Sequence, residues 1–214
     1  MEKLIETKKA FELLKKHSIP CANWKLAKNE KSAVQSAKKI GFPVALKVSS
    51  KKIIHKSDVG CVKINITNED ELIIAFNEIM DAAKKQKVKP EGVIIQKMIS
   101  GTEVIIGLKK DPQFGPVILF GLGGIFVEII KDVSMRIAPL KKEDCLEMIQ
   151  ELNGSNILFG ARGQKPANID ELVKIIMAVS KIAEKNKKIL EMDLNPVIVN
   201  EKSATVADIR IISE

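Results

Sequence analysis

Three groups of residues in this 214-residue chain have types and spacings that suit chemistry on phosphates. The first is a pair of lysines. Lys47 sits in the middle of the apolar run Val44-Ala45-Leu46-Lys47-Val48, which reads as a strand. Lys63 lies in the alternating run that follows at 61–66, with Val62, Ile64 and Ile66 expected on one face. A buried ammonium is costly unless paired, so a lysine centred in an apolar strand asks for a partner. If the two strands pair as a long hairpin, both lysines project toward one space and clamp an anion as point charges. The plainer alternative for Lys47 is a solvated strand face. The loop between the strands, 49–60, carries His55, Lys56, Ser57, Asp58 and Gly60. A neutral imidazole is a competent nucleophile at about pH 7, so His55 is a candidate phosphoryl carrier; the alternative is a solvated loop residue. His17 closes the first helix, where an imidazole complements the dipole, and takes no function.

The second group is Gly121-Leu122-Gly123-Gly124, set between two apolar strands. Glycines there let backbone amides approach an anion. No Gly-Lys-Ser/Thr follows, and neither does a helix, so neither a Walker A loop nor a dinucleotide fingerprint fits. A tight turn is the alternative. Glu128, in the run FVEII, needs a cationic partner. The third group is Glu191, Asp193 and Asn195 on alternate positions, with Pro196 expected to end that strand's pairing and Asp208 following an apolar strand. Carboxylate and amide oxygens at this spacing suit Mg²⁺, which takes one or two carboxylates plus substrate phosphates. An acidic surface strand is the alternative. Together the three groups point to nucleotide–Mg²⁺ chemistry.

The elements that must position these residues read as a mixture of helices and strands. Helices are expected over 2–17, 30–40 (N-cap Asn29, Gly41 past its end), 68–85 (Asn68 with Glu71 as a capping box), 141–151 and 169–186. Strands are expected at 23–27, 44–48, 61–66, 92–98, 103–109, 117–120, 126–130, 189–193, 197–200 and 204–209. There is no regular βαβ alternation, so the class is α+β. The polar break VKPEG at 88–92 suggests two lobes, 1–90 and 91–214.

Composition narrows the partners. The net charge is +8, but only three of the 35 basic residues are arginine, tyrosine is absent and there is one tryptophan. Single-stranded nucleic acid wants aromatic and arginine platforms, so nucleic acid is not the expected partner. The longest apolar stretch, 115–130, is shorter than the roughly 18–20 residues that span a bilayer. The chain opens Met1-Glu2-Lys3 and runs straight into a helical pattern, so no signal peptide is expected. Cys21, Cys61 and Cys145 show no metal spacing. A cytoplasmic protein with reduced thiols and no membrane association follows.

Four runs carry a resemblance to a known family: GFPVALKVSSKKIIHKSDVG at 41–60, GTEVIIGLKKDPQFGPVILFGLGGIFVEIIKDVSMRIAPL at 101–140, LFGARG at 158–163 and LEMDLNPVIV at 190–199. They resemble the ATP-grasp β subunit of ADP-forming acyl-CoA synthetases (acetate–CoA ligases), relatives of the succinyl-CoA synthetase β chain. The likeness covers nearly the whole chain. It implies an ATP-grasp fold, two α+β lobes with nucleotide between them, and an acid–CoA ligase that passes a phosphoryl group from a phosphohistidine to ADP. Acyl-CoA becomes free acid and CoA, with acetate the expected acid. The implied cofactors are Mg²⁺, ATP/ADP and phosphate. The implied partner is a CoA-binding α subunit in an α₂β₂ heterotetramer. A succinate- or aryl-acid-specific β subunit, or a non-catalytic nucleotide-binding subunit, is the alternative.

Residue by residue, the resemblance gives Lys47 as the phosphate-binding lysine, with Lys63 on the next matched strand. Val93, Ile94, Ile95, Gln96, Lys97 and Met98 match the hinge that holds adenine through backbone groups, and Glu103 matches the residue that binds ribose or positions the nucleotide. Asn195 and Asp208 match the Mg²⁺ ligands, with Asp193 beside them. His55 matches the loop histidine that carries the phosphoryl group. Gly123, Gly124 and Glu128 fall in a matching phosphate or subunit-contact region; Arg162 has no assigned role. The family reads Asp-Val-Gly-Gly-Val where this chain has Asp58-Val59-Gly60-Cys61-Val62. A left-handed residue at 61 would strain a cysteine.

Overall fold

Apolar residues gather into separate cores, and the chain divides with them. The computed structural model describes residues 2–50, 52–53, 56, 58–124, 131–163 and 165–214. It forms two units, residues 22–99 and residues 1–21 with 100–214.

The smaller unit contains β2 (Trp24–Ala27), α2 (Glu30–Ile40), β3 (Val44–Ser49), β4 (Val62–Ile66), α3 (Glu69–Lys85) and β5 (Gly92–Lys97). Its four antiparallel strands lie in the order β2-β5-β3-β4. Both helices start where short polar side chains offer an acceptor. Asn29 Oδ1 accepts from Ser32 N–H and Asn68 Oδ1 from Glu71 N–H, each at 2.9 Å. Glu71 reaches back to Thr67 N–H at 2.8 Å, one residue beyond the capping box expected. The helices pack on one sheet face, where Ala27, Val44, Leu46, Val48, Val93 and Ile95 are buried. The left-handed turn ahead of β4 falls on Gly60 (φ 69°), and Cys61 is buried in this core, so the substituted cysteine sits beyond the turn.

The larger unit contains β1 (Lys3–Leu4), α1 (Thr7–Lys16), β6 (Thr102–Asp111), β7 (Gly115–Leu122), β8 (Val133–Ile137), α4 (Lys142–Gln150), α5 (Ile169–Lys185), β9 (Ile189–Val199), β10 (Ala204–Val206) and β11 (Ile209–Ser213). Its strands run β1-β11-β9-β6-β7-β8, with β10 also on β9. Residues 3–4, expected to be helical, pair with β11 instead, which ties the N-terminal segment to this unit. The expected division at 90/91 therefore differs from the one observed. β5 is buried on both faces and completes the small sheet, so the change of unit falls after it.

Leu46 is fully buried between the small sheet and its helices. Leu46→Ala should lower the unfolding free energy by about 2–5 kcal/mol in urea titrations. A loss below about 1 kcal/mol would mean that the site collapses without a cavity.

Candidate functional site

Strand register decides what faces what. In the small sheet Lys47 pairs with Val62 and Leu46 with Lys63. Cross-strand partners share a face and neighbours alternate, so Lys47 and Lys63 lie on opposite faces. Leu46 belongs to the helix-packed core, and Lys63 accordingly meets α3, where its Nζ is 2.5 Å from Glu78 Oε2. The two-lysine clamp expected from the sequence does not form. The reason is a bulge: between the pairs Val44–Ile66 and Leu46–Lys63, the single residue Ala45 of β3 opposes both Ile64 and Asn65 of β4. Asn65 takes the left-handed conformation there (φ 57°), and Ile64 is 59% exposed rather than packed.

Lys47 is only 8% exposed, on the face away from the helices. Trp24, Leu26, Ala45, Ile94 and Gln96 share that face by register. The backbone of the expected adenine hinge is largely engaged. β5 pairs with β2 on one edge and β3 on the other from Val93 to Gln96, so those N–H and C=O groups belong to the sheet. The next two amides are donated as well, Lys97 N–H to Asn23 O at 2.8 Å and Met98 N–H to Pro43 O at 3.2 Å. The Lys97 ammonium donates to Gly41 O and Phe42 O at 2.8 and 2.9 Å, pinning the end of α2. A base on this strand therefore meets side chains of the helix-free face, or the backbone beyond Met98 N–H.

In the larger unit, two expected groups come together. Gly123 N–H donates to Glu103 O at 2.8 Å. A Cβ on Gly123 would lie 2.9 Å from Glu103 Cβ, and one on Gly124 would lie 3.9 Å from Glu103 Oε2. The glycine pair thus forms a cradle against the Glu103 side chain. Gly121 has a different reason to be glycine. A Cβ there would meet Val133 Cγ1 at 2.8 Å and Asp132 O at 2.9 Å, so it is a packing glycine between β7 and β8.

The oxygen-bearing residues gather around β9. This strand does not end at Pro196 as expected; it runs on to Val199 and bulges there instead. Asn195 and Pro196 together oppose Ile105 of β6, and the proline's missing N–H falls in the bulge. On the other edge, β10 pairs with 197–199 and β11 with 189–194, so the break between them lies beside the bulge. Asn195 N–H donates to Asp208 O at 3.2 Å and Ala207 N–H to Pro196 O at 2.9 Å, which places Asp208 next to Asn195. Asp193 faces Arg210 across the β9–β11 ladder, and Arg210 also lies 3.9 Å from Glu191 Oε2. Burial raises the Asp193 carboxyl above its ordinary pKa; Arg210 opposes this, while Asp208 and Glu191 add to it. Asp193 thus has a cationic neighbour in Arg210 and anionic neighbours in Asp208 and Glu191, and among the described residues no group of three or more His, Cys, Asp or Glu side chains could hold a metal ion. The expected Mg²⁺ ligands, Asn195 and Asp208, are brought together by the backbone, with Asp193 on the same strand as Asn195, and a site built on them would take its remaining oxygens from water and phosphate.

His55 and Glu128 lie outside the described residues, as does the strand expected at 126–130. Arg162 falls in a short 3₁₀ turn, Ala161–Gly163. Thiol chemistry is not favoured: burial pushes Cys21 and Cys145 up to about 11 and Cys61 upward as well. Two features escaped the sequence reading. Strand β8 was missed although Val133, Met135 and Ile137 alternate with Ser134 and Arg136. Buried Asp132 accepts from Asn153 N–H at 2.9 Å and Gly154 N–H at 2.8 Å, an anchor with no local sequence signal.

With this geometry in view, comparison with known proteins is specific. Residues 1–212 match the ATP-grasp domain, and the chain belongs to that family. The expected α+β ATP-grasp class is borne out. The chain is 51% identical over 206 residues, 95% of its length and 89% of the relative's, to the β subunit of ADP-forming acetate–CoA ligase I of Pyrococcus furiosus. It is 43% identical over 221 residues to ADP-forming acetate–CoA ligase I of Archaeoglobus fulgidus, covering 99% of this chain but only 32% of that longer one. The dinucleotide-forming acetyl-coenzyme A synthetase 1 of Ca. Korarchaeum cryptofilum, solved with coenzyme A, Ca-AMPCP and HgCl⁺, superposes with a TM-score of 0.95 at 42% identity. That match covers 99% of this chain and 94% of the other. The same synthetase with coenzyme A and Mg-AMPPCP, its phosphohistidine segment pointing towards the nucleotide binding site, gives a TM-score of 0.85 at 40% identity, covering 99% and 93%.

The two contrasting roles are separable by stability. Gly123→Ala should cost about 1–3 kcal/mol by pushing on the Glu103 backbone. Lys63→Ala should change stability by no more than about 1 kcal/mol, the range of a surface ion pair. Urea midpoints of both variants measure this, and a larger loss for Lys63→Ala would contradict its placement.

Proposed function

We propose that this chain is the nucleotide-binding β subunit of an ADP-forming acyl-CoA synthetase, with acetate as the acid. It transfers a phosphoryl group from a phosphorylated His55 to ADP. The observation that carries this reading is the break in the β9 ladders, which sets Asn195 and Asp208 side by side with Asp193 on the same strand. Oxygen ligands in that number suit a cation that keeps sites for phosphate. Likeness to a named β subunit over 95% of the chain supports the class, and the solved relative with Mg-AMPPCP supports the ion and the nucleotide.

The work of each residue follows from its chemistry. Lys47, buried on the helix-free face, neutralises phosphate oxygens as a point charge. Glu103 accepts from the nucleotide, held in place by the Gly123–Gly124 cradle. Asn195 and Asp208 hold Mg²⁺, with Asp193 nearby, and the ion when bound neutralises charge on the transferring group. In the transfer, an oxygen of the ADP β-phosphate attacks the phosphorus on His55. The P–N bond breaks, the P–O bond of ATP forms, and the nitrogen keeps the electron pair, the ring leaving as neutral imidazole because its other nitrogen carries a proton. Catalysis is then largely positioning and charge neutralisation.

We assign the acyl-CoA chemistry to a part outside the region matched here. The match covers only 32% of the Archaeoglobus relative, whereas the Pyrococcus relative is a β subunit of which it covers 89%. A CoA-binding α subunit, in an α₂β₂ assembly, supplies that part. Among the described residues no helix is long and apolar enough to cross a membrane, and we place the enzyme in the cytoplasm.

Reconstituted with an α subunit, His55→Ala should abolish ATP formation from acetyl-CoA, ADP and phosphate while Mg-ADP still binds. Full turnover by that variant would remove His55 as carrier. Asp208→Ala should weaken Mg-ADP binding about tenfold or more, the cost of a lost charged contact, with a smaller effect on metal-free ADP. Calorimetry with and without Mg²⁺ measures the difference, and an unchanged Mg-ADP affinity would remove the metal assignment.

A further inference from the structure

One buried side-chain atom among the described residues has no hydrogen-bond partner, the Nε2 of Gln96. Gln96 is 2% exposed. Native structures pair nearly all such groups, and an exception needs a reason. Its surroundings sharpen the point. Directly across the ladders sit Trp24 and Ala45, and Lys47 is the diagonal neighbour beside Ile94, roughly 7–8 Å away. An indole N–H and an ammonium only donate, and a methyl does neither. A donor set among donors takes its acceptor from a ligand.

We propose that the Gln96 carboxamide reads the purine of the bound nucleotide and selects adenine over guanine. The proposal rests on the nucleotide-binding reading above. The backbone of β5 beside it is already committed to β2 and β3, so a base contact from this position comes from the side chain. A carboxamide carries one donor group and one acceptor. Adenine presents the matching pair on one edge, an N7 acceptor and an N6 donor, and a glutamine meets both at once. Guanine presents two acceptors there, N7 and O6, which leaves Gln96 Oε1 facing another oxygen. A phosphate would leave Oε1 facing an anion, and Lys47 on the same face already supplies its cation.

The experiment measures binding of Mg-ADP, Mg-GDP and the 7-deaza analogue of ADP to the intact chain by calorimetry. The wild type should favour Mg-ADP over Mg-GDP by about tenfold or more and lose about tenfold when N7 is replaced by carbon. Gln96→Leu should lose about tenfold for Mg-ADP, little for Mg-GDP, and should no longer distinguish ADP from its 7-deaza analogue. Gln96→Glu keeps the acceptor but not the donor, so it too should become blind to N7. The melting temperature of nucleotide-free Gln96→Leu should equal or exceed that of the wild type, since the variant buries no unpaired amide. The proposal is overturned if Gln96→Leu binds Mg-ADP as tightly as the wild type, if it loses Mg-ADP and Mg-GDP alike, or if the wild type accepts both purines equally. A wild-type chain that binds neither nucleotide overturns the underlying reading as well.

Discussion

The larger unit depends on a break in the ladder of β9. Along most of this strand, β6 pairs on one edge and β11 or β10 on the other. At Asn195–Pro196 both ladders are interrupted together: the strand bulges against β6, and β10 gives way to β11. An ordinary central strand uses every backbone group in pairing and leaves side chains only the two faces. A coincident break frees the chain locally to bring Asn195 and Asp208 together by backbone hydrogen bonds rather than by side-chain packing. Placement by main-chain bonds locates these two residues by register and not by the bulk of their neighbours.

The smaller unit solves a related problem with a bulge on β4. Its core occupies the helix-packed face, so any charge needed for chemistry must be put on the other face and held there by register. An unbulged hairpin preserves the alternation of Val62, Ile64 and Ile66 that the sequence suggests. The bulge at Ile64–Asn65 breaks it, exposing Ile64 while keeping Ile66 in the core. Lys63 then follows Leu46 to the helix side and is spent on an ion pair with Glu78, leaving Lys47 as the one lysine of the pair on the helix-free face.

Much of this was legible in the sequence where local physics acts alone. Helix α2 begins and ends where Asn29 and Gly41 put it, and α5 follows its apolar period closely. The runs that resemble a known family gave the class; within the larger unit, Gly123 packs on Glu103 and Asn195 bonds to Asp208 through the backbone. The rest depended on pairing between distant segments. Whether Lys63 shares a face with Lys47 is decided by one extra residue in β4. Whether Pro196 ends a strand or sits in a bulge is decided by β6, some ninety residues earlier in the chain. The unit boundary likewise followed β5's need for two neighbours rather than the polar segment that precedes it.

Each unit carries a group whose environment disfavours the unliganded state. In the smaller it is the unpartnered amide of Gln96; in the larger it is Asp193, desolvated, with Arg210 offsetting only part of that cost and Asp208 and Glu191 adding to it. Neither is needed to fold its sheet, since apolar residues fill both helix-packed cores. A well-packed leucine at 96 and an amide at 193 would remove both penalties. Their presence is understandable if the penalties are relieved on binding: an acceptor from a base completes the amide, and a divalent cation offsets the carboxylates. A ligand that binds only the folded chain then stabilises it by mass action, and the stabilisation is largest where the empty site was most costly. On the proposed reading, stability given up at these two residues would be recovered when ligand binds, a more local signal than the net charge of +8.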